Sequence, residues 1–271
     1  MSIVLLILIS LFPALCWLGL YASQDTTRPE RKKLLLLTFL LGGSAILPFF
    51  LARLATTFLP IGTPVLPYLG VVLFAFLEEC AKLIPAFWVM NKYPTAHDEI
   101  TDGIMYAVAS ALGFAMVENI LYFSQLYPAY DMSFLVIGRS VMTMLAHTIF
   151  SSIAGYAYAL AYIRPLTHII KKRRNIHLRS MVSSFHLHNV YFHVLASHIL
   201  RFRQSKEGHD PHEIVIEGVL LASCMHAIYN IAQLIWSDLI ILFSLLIVAF
   251  LVIMFMVRHS KQVVPYIQDS E

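Results

Sequence analysis

Charged residues are scarce in this chain: Asp, Glu, Lys and Arg make up 13% of its 271 residues, whereas 59% of the residues are hydrophobic. The mean hydropathy of +0.73 is too high for an ordinary soluble domain. Several apolar runs are long enough to cross the hydrocarbon core of a bilayer. The composition therefore excludes a typical soluble protein and predicts an all-α, polytopic bundle of transmembrane helices.

Cysteine and net charge are also low. The three cysteines, Cys16, Cys80 and Cys224, each lie in an apolar run, so the sequence predicts no disulfide framework. The formal net charge is only +3, and no nucleic-acid-binding motif is present, so nucleic acid is not an expected partner. The expected surroundings are the lipid bilayer of a cell membrane.

Seven hydrophobic segments have about the 20 residues that a spanning helix needs. They are residues 3–21, 34–59, 66–90, 103–123, 133–163, 214–236 and 239–257. The first segment could instead be a cleavable signal peptide, because Ala22 and Ser23 are small. It has no basic start, however, and basic residues follow it directly at 28–33, which favours an uncleaved span.

Basic residues alternate between the connections of this map. The connections at 60–65, 124–132 and 237–238 contain no Lys or Arg, whereas the others contain nearly all of them. The positive-inside rule then places the N-terminus outside and the C-terminus inside. We predict a single integral membrane domain over residues 1–271, whose candidate functional core lies at about 66–236.

One long connection, residues 164–213, forms a basic cytoplasmic insert between the fifth and sixth spans. Its mixture of basic and apolar residues favours a helix lying at the membrane surface. The sharper alternative is a metal-binding tract, formed by His186, His188, His193 and His198.

Two adjacent carboxylates, Glu78 and Glu79, interrupt the third span. A charge at bilayer depth costs roughly 2.5–3.5 kcal/mol on insertion scales, so such a pair is a candidate active centre. Lys82 lies one turn beyond Glu78 and can hold that carboxylate ionised, while Glu79 points to a different and drier neighbourhood. Two carboxylates in unequal settings suit acid and base roles; the alternative is a structural ion pair.

The fourth span starts with acidic and hydroxyl residues at 98–103, which suit helix capping, and contains Glu118 beside Asn119. Lipid offers neither side chain a partner, so Glu118 should face the bundle interior. It could be catalytic, or it could only pack through hydrogen bonds.

The fifth and sixth spans supply histidines. Polar residues recur at every fourth position of the fifth span, namely Arg139, Thr143, His147 and Ser151. We expect Arg139 to extend to the outer interface. His226 and Asn230 lie one turn apart on the sixth span, a spacing that suits two donors for an oxyanion or a helix–helix hydrogen bond.

Four successive spans thus place ionisable groups at similar depth, and we expect them to converge on one site. A cation or proton transporter would use similar residues, although the repeated halves and interrupted helices of many transporters are not evident. A scaffold that uses these residues only for packing is a third possibility.

Four motifs occur in order on these spans: EECAK at 78–82, GFAMVEN at 113–119, HTIFSSIAGY at 147–156 and HAIYN at 226–230. Together they resemble the PrsW family of intramembrane proteases, relatives of the CAAX prenyl endopeptidases and bacteriocin-processing proteins. The resemblance covers about residues 66–234, and the DG pair at 102–103 also fits it. Lys82 and Glu118 point to the PrsW branch and away from prenyl-protein substrates.

The resemblance implies an intramembrane endopeptidase that cuts membrane-anchored regulators such as anti-sigma factors. It implies a catalytic role for Glu78 and Glu79. The other implied site residues are Glu118, His147, His226 and Asn230.

The residues allow two versions of peptide hydrolysis. In one, a glutamate deprotonates water while histidine and Asn230 stabilise the oxyanion. In the other, which we favour, Glu118, His147 and His226 bind a divalent metal such as Zn²⁺, and a remaining glutamate is the base. No HExxH string is present to decide between them.

Overall fold

A computed structural model describes residues 3–24, 30–48, 66–93, 99–126, 136, 138–162, 211–235, 244, 246–251 and 253. Every regular element in these residues is helical, which confirms the all-α prediction. The main helices are α1 (Ile3–Gln24), α2 (Lys32–Ser44), α3 (Leu66–Lys92), α4 (Ile100–Leu126), α5 (Met144–Tyr162) and α6 (Pro211–Ile235). A π-helical segment, Arg139–Thr143, leads directly into α5.

Four helical stretches are long and apolar enough to cross a membrane: Ile3–Gln24, Ile100–Gln125, Arg139–Tyr162 and Pro211–Gln233. Helix α3 has 27 residues, a sufficient length, but three charged side chains interrupt it. These stretches support a multi-pass membrane protein. The count of seven spans and the outside N-terminus remain predictions.

Two predicted regions fall largely outside the described residues. The second half of the second span lies there, and so does most of the basic insert, including His186, His188, His193 and His198. The last predicted span is described at residues 244, 246–251 and 253, which are helical.

Helix α4 is the centre of the bundle and contacts α1, α2, α3 and α5. Every residue from 101 to 115 is buried, as expected for a helix that is apolar on all sides. Its start is capped as predicted, because the Asp102 carboxylate accepts a hydrogen bond from the Glu99 amide at 2.6 Å. Glu118 lies three residues beyond this buried stretch, with 30% of its side chain exposed.

Glycines allow α4 to approach its neighbours closely. A methyl group added at Gly113 would overlap the Phe39 carbonyl of α2, and one added at Gly103 would overlap the Gly155 carbonyl of α5. Small residues at such crossings are typical of membrane helices, whose association depends on close packing. These contacts hold α4 close to α2 at Gly113 and close to α5 at Gly103.

Helix α1 covers the π-helical segment and the start of α5. The Trp17 indole donates to the Ser140 carbonyl at 3.1 Å, and the Tyr21 hydroxyl donates to Thr148 Oγ1 at 2.9 Å. Phe250 contacts the rings of Trp17 and Tyr21 edge-on. The opposite face of α1 is apolar and exposed, as suits contact with lipid.

Candidate active site

A cavity of about 140 Å³ lies where α3, α4, α5 and α6 meet, and it is large enough to admit water. Its lining residues are Glu78, Glu118, Arg139, Thr143, Ala146, His147, Phe150, His226, Tyr229, Asn230 and Gln233. The expected convergence of ionisable groups from four helices is therefore present in the structure. Of the six residues predicted to be catalytic, five line the cavity and Glu79 lies behind it.

Glu79 is fully buried, with 0% of its side chain exposed. One carboxylate oxygen accepts from Lys82 Nζ at 2.7 Å and from His226 Nδ1 at 2.8 Å. The other oxygen accepts from Ser151 Oγ at 3.0 Å. Three donors thus hold Glu79 in place, and its bonded, buried carboxylate is not open to the cavity.

Glu78 occupies the wetter position, since 13% of its side chain is exposed and it lines the cavity. Lys82 Nζ is 3.9 Å from Glu78 but only 2.7 Å from Glu79. The sequence correctly predicts unequal surroundings for the two glutamates, but the expectation that Lys82 mainly serves Glu78 is wrong. Lys82 lies four residues after Glu78 and three after Glu79, and both spacings share a helix face. The further contacts of Glu79 with His226 and Ser151 hold its carboxylate where Lys82 reaches it.

Lys82 is a buried cation with 0% of its side chain exposed. Besides Glu79, it contacts His147 Nδ1 at 2.7 Å. An ammonium group only donates, so Nδ1 accepts and a neutral His147 ring has its proton on Nε2. Nε2 lies 3.0 Å from Glu118 Oε2, although the geometry does not make a hydrogen bond.

His226 has the opposite arrangement. Its Nδ1 faces the Glu79 carboxylate, which only accepts when ionised, so Nδ1 bears the proton. The Nε2 lone pair then faces Glu78, whose Oε2 is 3.5 Å from Nε2. Phe150 stacks on the His226 ring at 5.2 Å between centroids. A histidine oriented by a carboxylate in this way has the form of a metal ligand with its supporting group.

Arg139 does not extend to the outer interface, so that expectation is wrong. Its Nε donates to Asn119 Oδ1 at 2.8 Å and its Nη2 to Glu118 Oε1 at 2.9 Å. The guanidinium carbon also lies 3.9 Å from the centre of the Tyr122 ring. Asn119 is buried and Glu118 is partly buried, so both need donors; the guanidinium supplies them, and this outweighs exposure to the interface.

Three of the cavity residues could hold a metal ion: Glu78, His147 and His226 each offer a ligand atom, all within 4.8 Å of one another. Two imidazoles and a carboxylate form a set that zinc hydrolases use. Binding through His147 requires its Nε2 proton to leave or its Lys82 contact to open, because a ligating ring nitrogen must be unprotonated. The set fits a divalent ion, with Glu78 in the position that the sequence assigned to Glu118.

Sequence reasoning gave no site role to several residues that the structure places in or against the cavity. Ser151 contacts Glu79, and Tyr229 and Gln233 line the cavity beside Asn230. The available signal was spacing: Ser151 belongs to the polar stripe of the fifth span, and Gln233 follows His226 by two turns.

Comparison with known proteins gives consistent matches. Residues 30–199, more than half of the chain, match the family model described as "PrsW family intramembrane metalloprotease". The chain is 30% identical over 189 residues to "Protease PrsW" of Oceanobacillus iheyensis, covering 68% of this chain and 79% of that protein. It is 33% identical over 117 residues to "Protease PrsW" of Geobacillus kaustophilus, covering 43% of this chain and 47% of that protein. The chain thus spans about half the length of one relative and about four fifths of the other.

No solved structure matches the chain. His226 and Asn230 lie beyond the range matched by the family model, and their place beside the other groups is given by the geometry of α6. The family match, the relatives and the helical bundle agree on one assignment. The chain belongs to the PrsW family of intramembrane metalloproteases, which makes it a peptide hydrolase and a multi-pass membrane protein of the bacterial type.

Proposed function

We propose that this chain is an intramembrane endopeptidase whose active centre is the cavity between α3, α4, α5 and α6. The observation that supports this most directly is the pairing of His226 Nδ1 with buried Glu79, which turns Nε2 toward Glu78 in a cavity that admits water. Peptide hydrolysis needs water, a proton acceptor and donors for the oxyanion. All three requirements have candidates here.

Glu78, His147 and His226 would hold the metal ion. A bound divalent ion such as Zn²⁺ would make water acidic enough to lose a proton near neutral pH and would polarise the scissile carbonyl. Glu79 and Lys82 are positioning residues in this scheme: Glu79 orients His226, and Lys82 contacts His147. Their burial keeps both contacts away from water.

Glu118 is the remaining carboxylate of the cavity and the candidate proton acceptor. Its Oε2 has no hydrogen-bond partner among the described residues, while Oε1 is held by Arg139. Oε1 is thus fixed, and Oε2, which makes no hydrogen bond in this arrangement, is the oxygen that would take the proton from water. Asn230 lines the same cavity and is the candidate amide donor to the oxyanion.

A metal-free version remains the alternative mechanism. In it, Glu78 takes the proton from water directly, and His226 with Asn230 stabilises the oxyanion. This version does not require the Nε2 proton of a neutral His147 to leave, whereas metal binding at that nitrogen does. Transport of cations or protons is less well supported, because the family and the named relatives are proteases.

The proposed substrate is a membrane-anchored regulatory protein, such as an anti-sigma factor, cut within or close to the bilayer. A cavity enclosed by membrane helices suits a substrate that enters from the lipid. Fragments of membrane proteins from cells with the intact chain should be compared with those from cells with Glu78→Gln. A fragment that appears only with the intact chain would identify the substrate.

Metal content and cleavage by purified variants test the roles. We expect one metal ion per chain in the unmodified protein and in Glu118→Gln, but a loss of metal in Glu78→Gln and His226→Ala. All three variants should lose cleavage by about 10²-fold or more. Glu217→Gln is a matched control, because this exposed glutamate of α6 lies outside the cavity and should change neither measurement.

Three results would contradict parts of the scheme. Full activity in the presence of chelators, with no bound metal, would leave only the metal-free version. Metal retained by Glu78→Gln but lost by Glu118→Gln would restore Glu118 as the ligand. Ion flux in liposomes without peptide fragments would replace proteolysis by transport.

A further inference from the structure

Arg139 is a cavity residue whose guanidinium is held rigidly. It bonds Glu118 and Asn119, lies against Tyr122, and belongs to a π-helical segment. π-helical turns often occur at functional sites. A merely structural arginine could be enclosed completely, yet 17% of this side chain is exposed and it lines the cavity.

The guanidinium has donors to spare. Nε and Nη2 are bonded, but Nη1 has no hydrogen-bond partner among the described residues. Arginine offers five N–H donors in a fixed plane. Since its position at the cavity wall is fixed by the other contacts, the spare donors are available to a molecule in the cavity.

The charge of the site indicates what those donors would bind. Glu118 lies 2.9 Å from Nη2 and neutralises the guanidinium, so a second carboxylate would gain little from binding there. A neutral carbonyl oxygen needs only a donor. A substrate helix must unwind before its peptide bond can be cut, and unwinding in lipid leaves backbone carbonyls without partners.

We propose that Arg139 is a substrate-positioning residue that donates hydrogen bonds to backbone carbonyl oxygens of the unwound substrate beside the scissile bond. This proposal rests on the proposed endopeptidase function. It gives the cavity two sides: carboxylates and histidines that act on the peptide bond, and a rigid guanidinium that holds the strand next to it. Preformed donors of this kind reduce the entropy lost on binding.

The test uses a library of synthetic single-span peptides of about 20 apolar residues, from which one peptide cleaved by the unmodified enzyme is taken. Each amide around its cleavage site is then replaced in turn by an ester, whose carbonyl is a poorer acceptor. We expect KM to rise about three-fold or more at one or two adjacent positions, with kcat changing less. The scan needs no variant to fold.

The variants Arg139→Gln and Arg139→Lys test whether Arg139 causes the rise in KM seen with the ester peptides. Losing the fixed guanidinium donors should raise KM about ten-fold or more with the all-amide peptide, and the ester positions should then have no further effect. Ser140→Ala is the matched control: it lies on the same π-helical segment but does not line the cavity, and it should keep the ester pattern.

The outcomes separate the two proposals. If the unmodified enzyme cleaves no peptide of the library, the endopeptidase function and the role of Arg139 both fail. If it cleaves but no ester raises KM, or if the ester effect persists in folded Arg139 variants, only the role of Arg139 is overturned. A purely structural role for Arg139 would lower activity equally for amide and ester substrates.

Discussion

The buried pair of Glu79 and Lys82 allows a quantitative test of the site. Glu79→Gln would leave the Lys82 ammonium in the bundle with Glu78, at 3.9 Å, as its nearest carboxylate among the described residues. Lys82→Met would leave two neighbouring carboxylates without their shared cation. Removing one partner of a buried ion pair costs about 3–5 kcal/mol. We expect the lower end for Glu79→Gln, because Glu78 partly compensates, and the upper end for Lys82→Met.

The double variant Glu79→Gln, Lys82→Met provides the decisive comparison. It removes both charges, so its loss of unfolding free energy should be smaller than the sum of the single losses by several kcal/mol. Unfolding in mixed detergent micelles measures all three losses against the unmodified protein. Additivity within about 0.5 kcal/mol would mean that the two residues act independently, and the ion pair described here would then be refuted.

Two further predictions concern neighbouring contacts. Gly113→Ala should lower the free energy of unfolding by about 1–3 kcal/mol through overpacking. Gly70→Ala is its control: an added methyl group meets nothing within 4 Å there, so this variant should be neutral or stabilising. Equal free energies of unfolding for the two variants would contradict the close α2–α4 contact. Ser151→Ala should cost about 1.5–3 kcal/mol because it removes a hydrogen bond to the Glu79 carboxylate, whereas Ser152→Ala, which loses only a bond to the backbone of its own helix, should cost under about 1 kcal/mol. Equal losses at the two serines would argue against the Glu79 contact.

The location of the site could be predicted from the sequence because a charge inside an apolar span has few physical explanations. Glu78, Glu118, His147 and His226 stand out against hydrophobic neighbours, and the structure brings all four to one cavity. Their convergence needs a similar depth of each residue in its span and a position that faces away from lipid. Depth is read directly from position along a helix.

Pairings inside the site could not be predicted in the same way. Lys82 can reach carboxylates three or four residues away, and helical spacing alone does not choose between them. Arg139 has a side chain long enough to reach either the interface or Glu118. The choice depends on helix rotation and on which buried acceptors need a donor, and only the packed bundle determines both.

The charges around the cavity nearly cancel, and the one that is left over can be assigned to a residue. Among the described residues, the charged groups around it are three carboxylates, on Glu78, Glu79 and Glu118, and two cations, on Lys82 and Arg139. With neutral histidines and ionised carboxylates, one negative charge is left over. Because Glu79 and Glu118 each have a cation within 3 Å, the excess falls on Glu78, whose oxygen is 3.9 Å from Lys82. Glu78 is also a member of the metal-capable group, so a cation bound there would be attracted by the least compensated charge of the bundle.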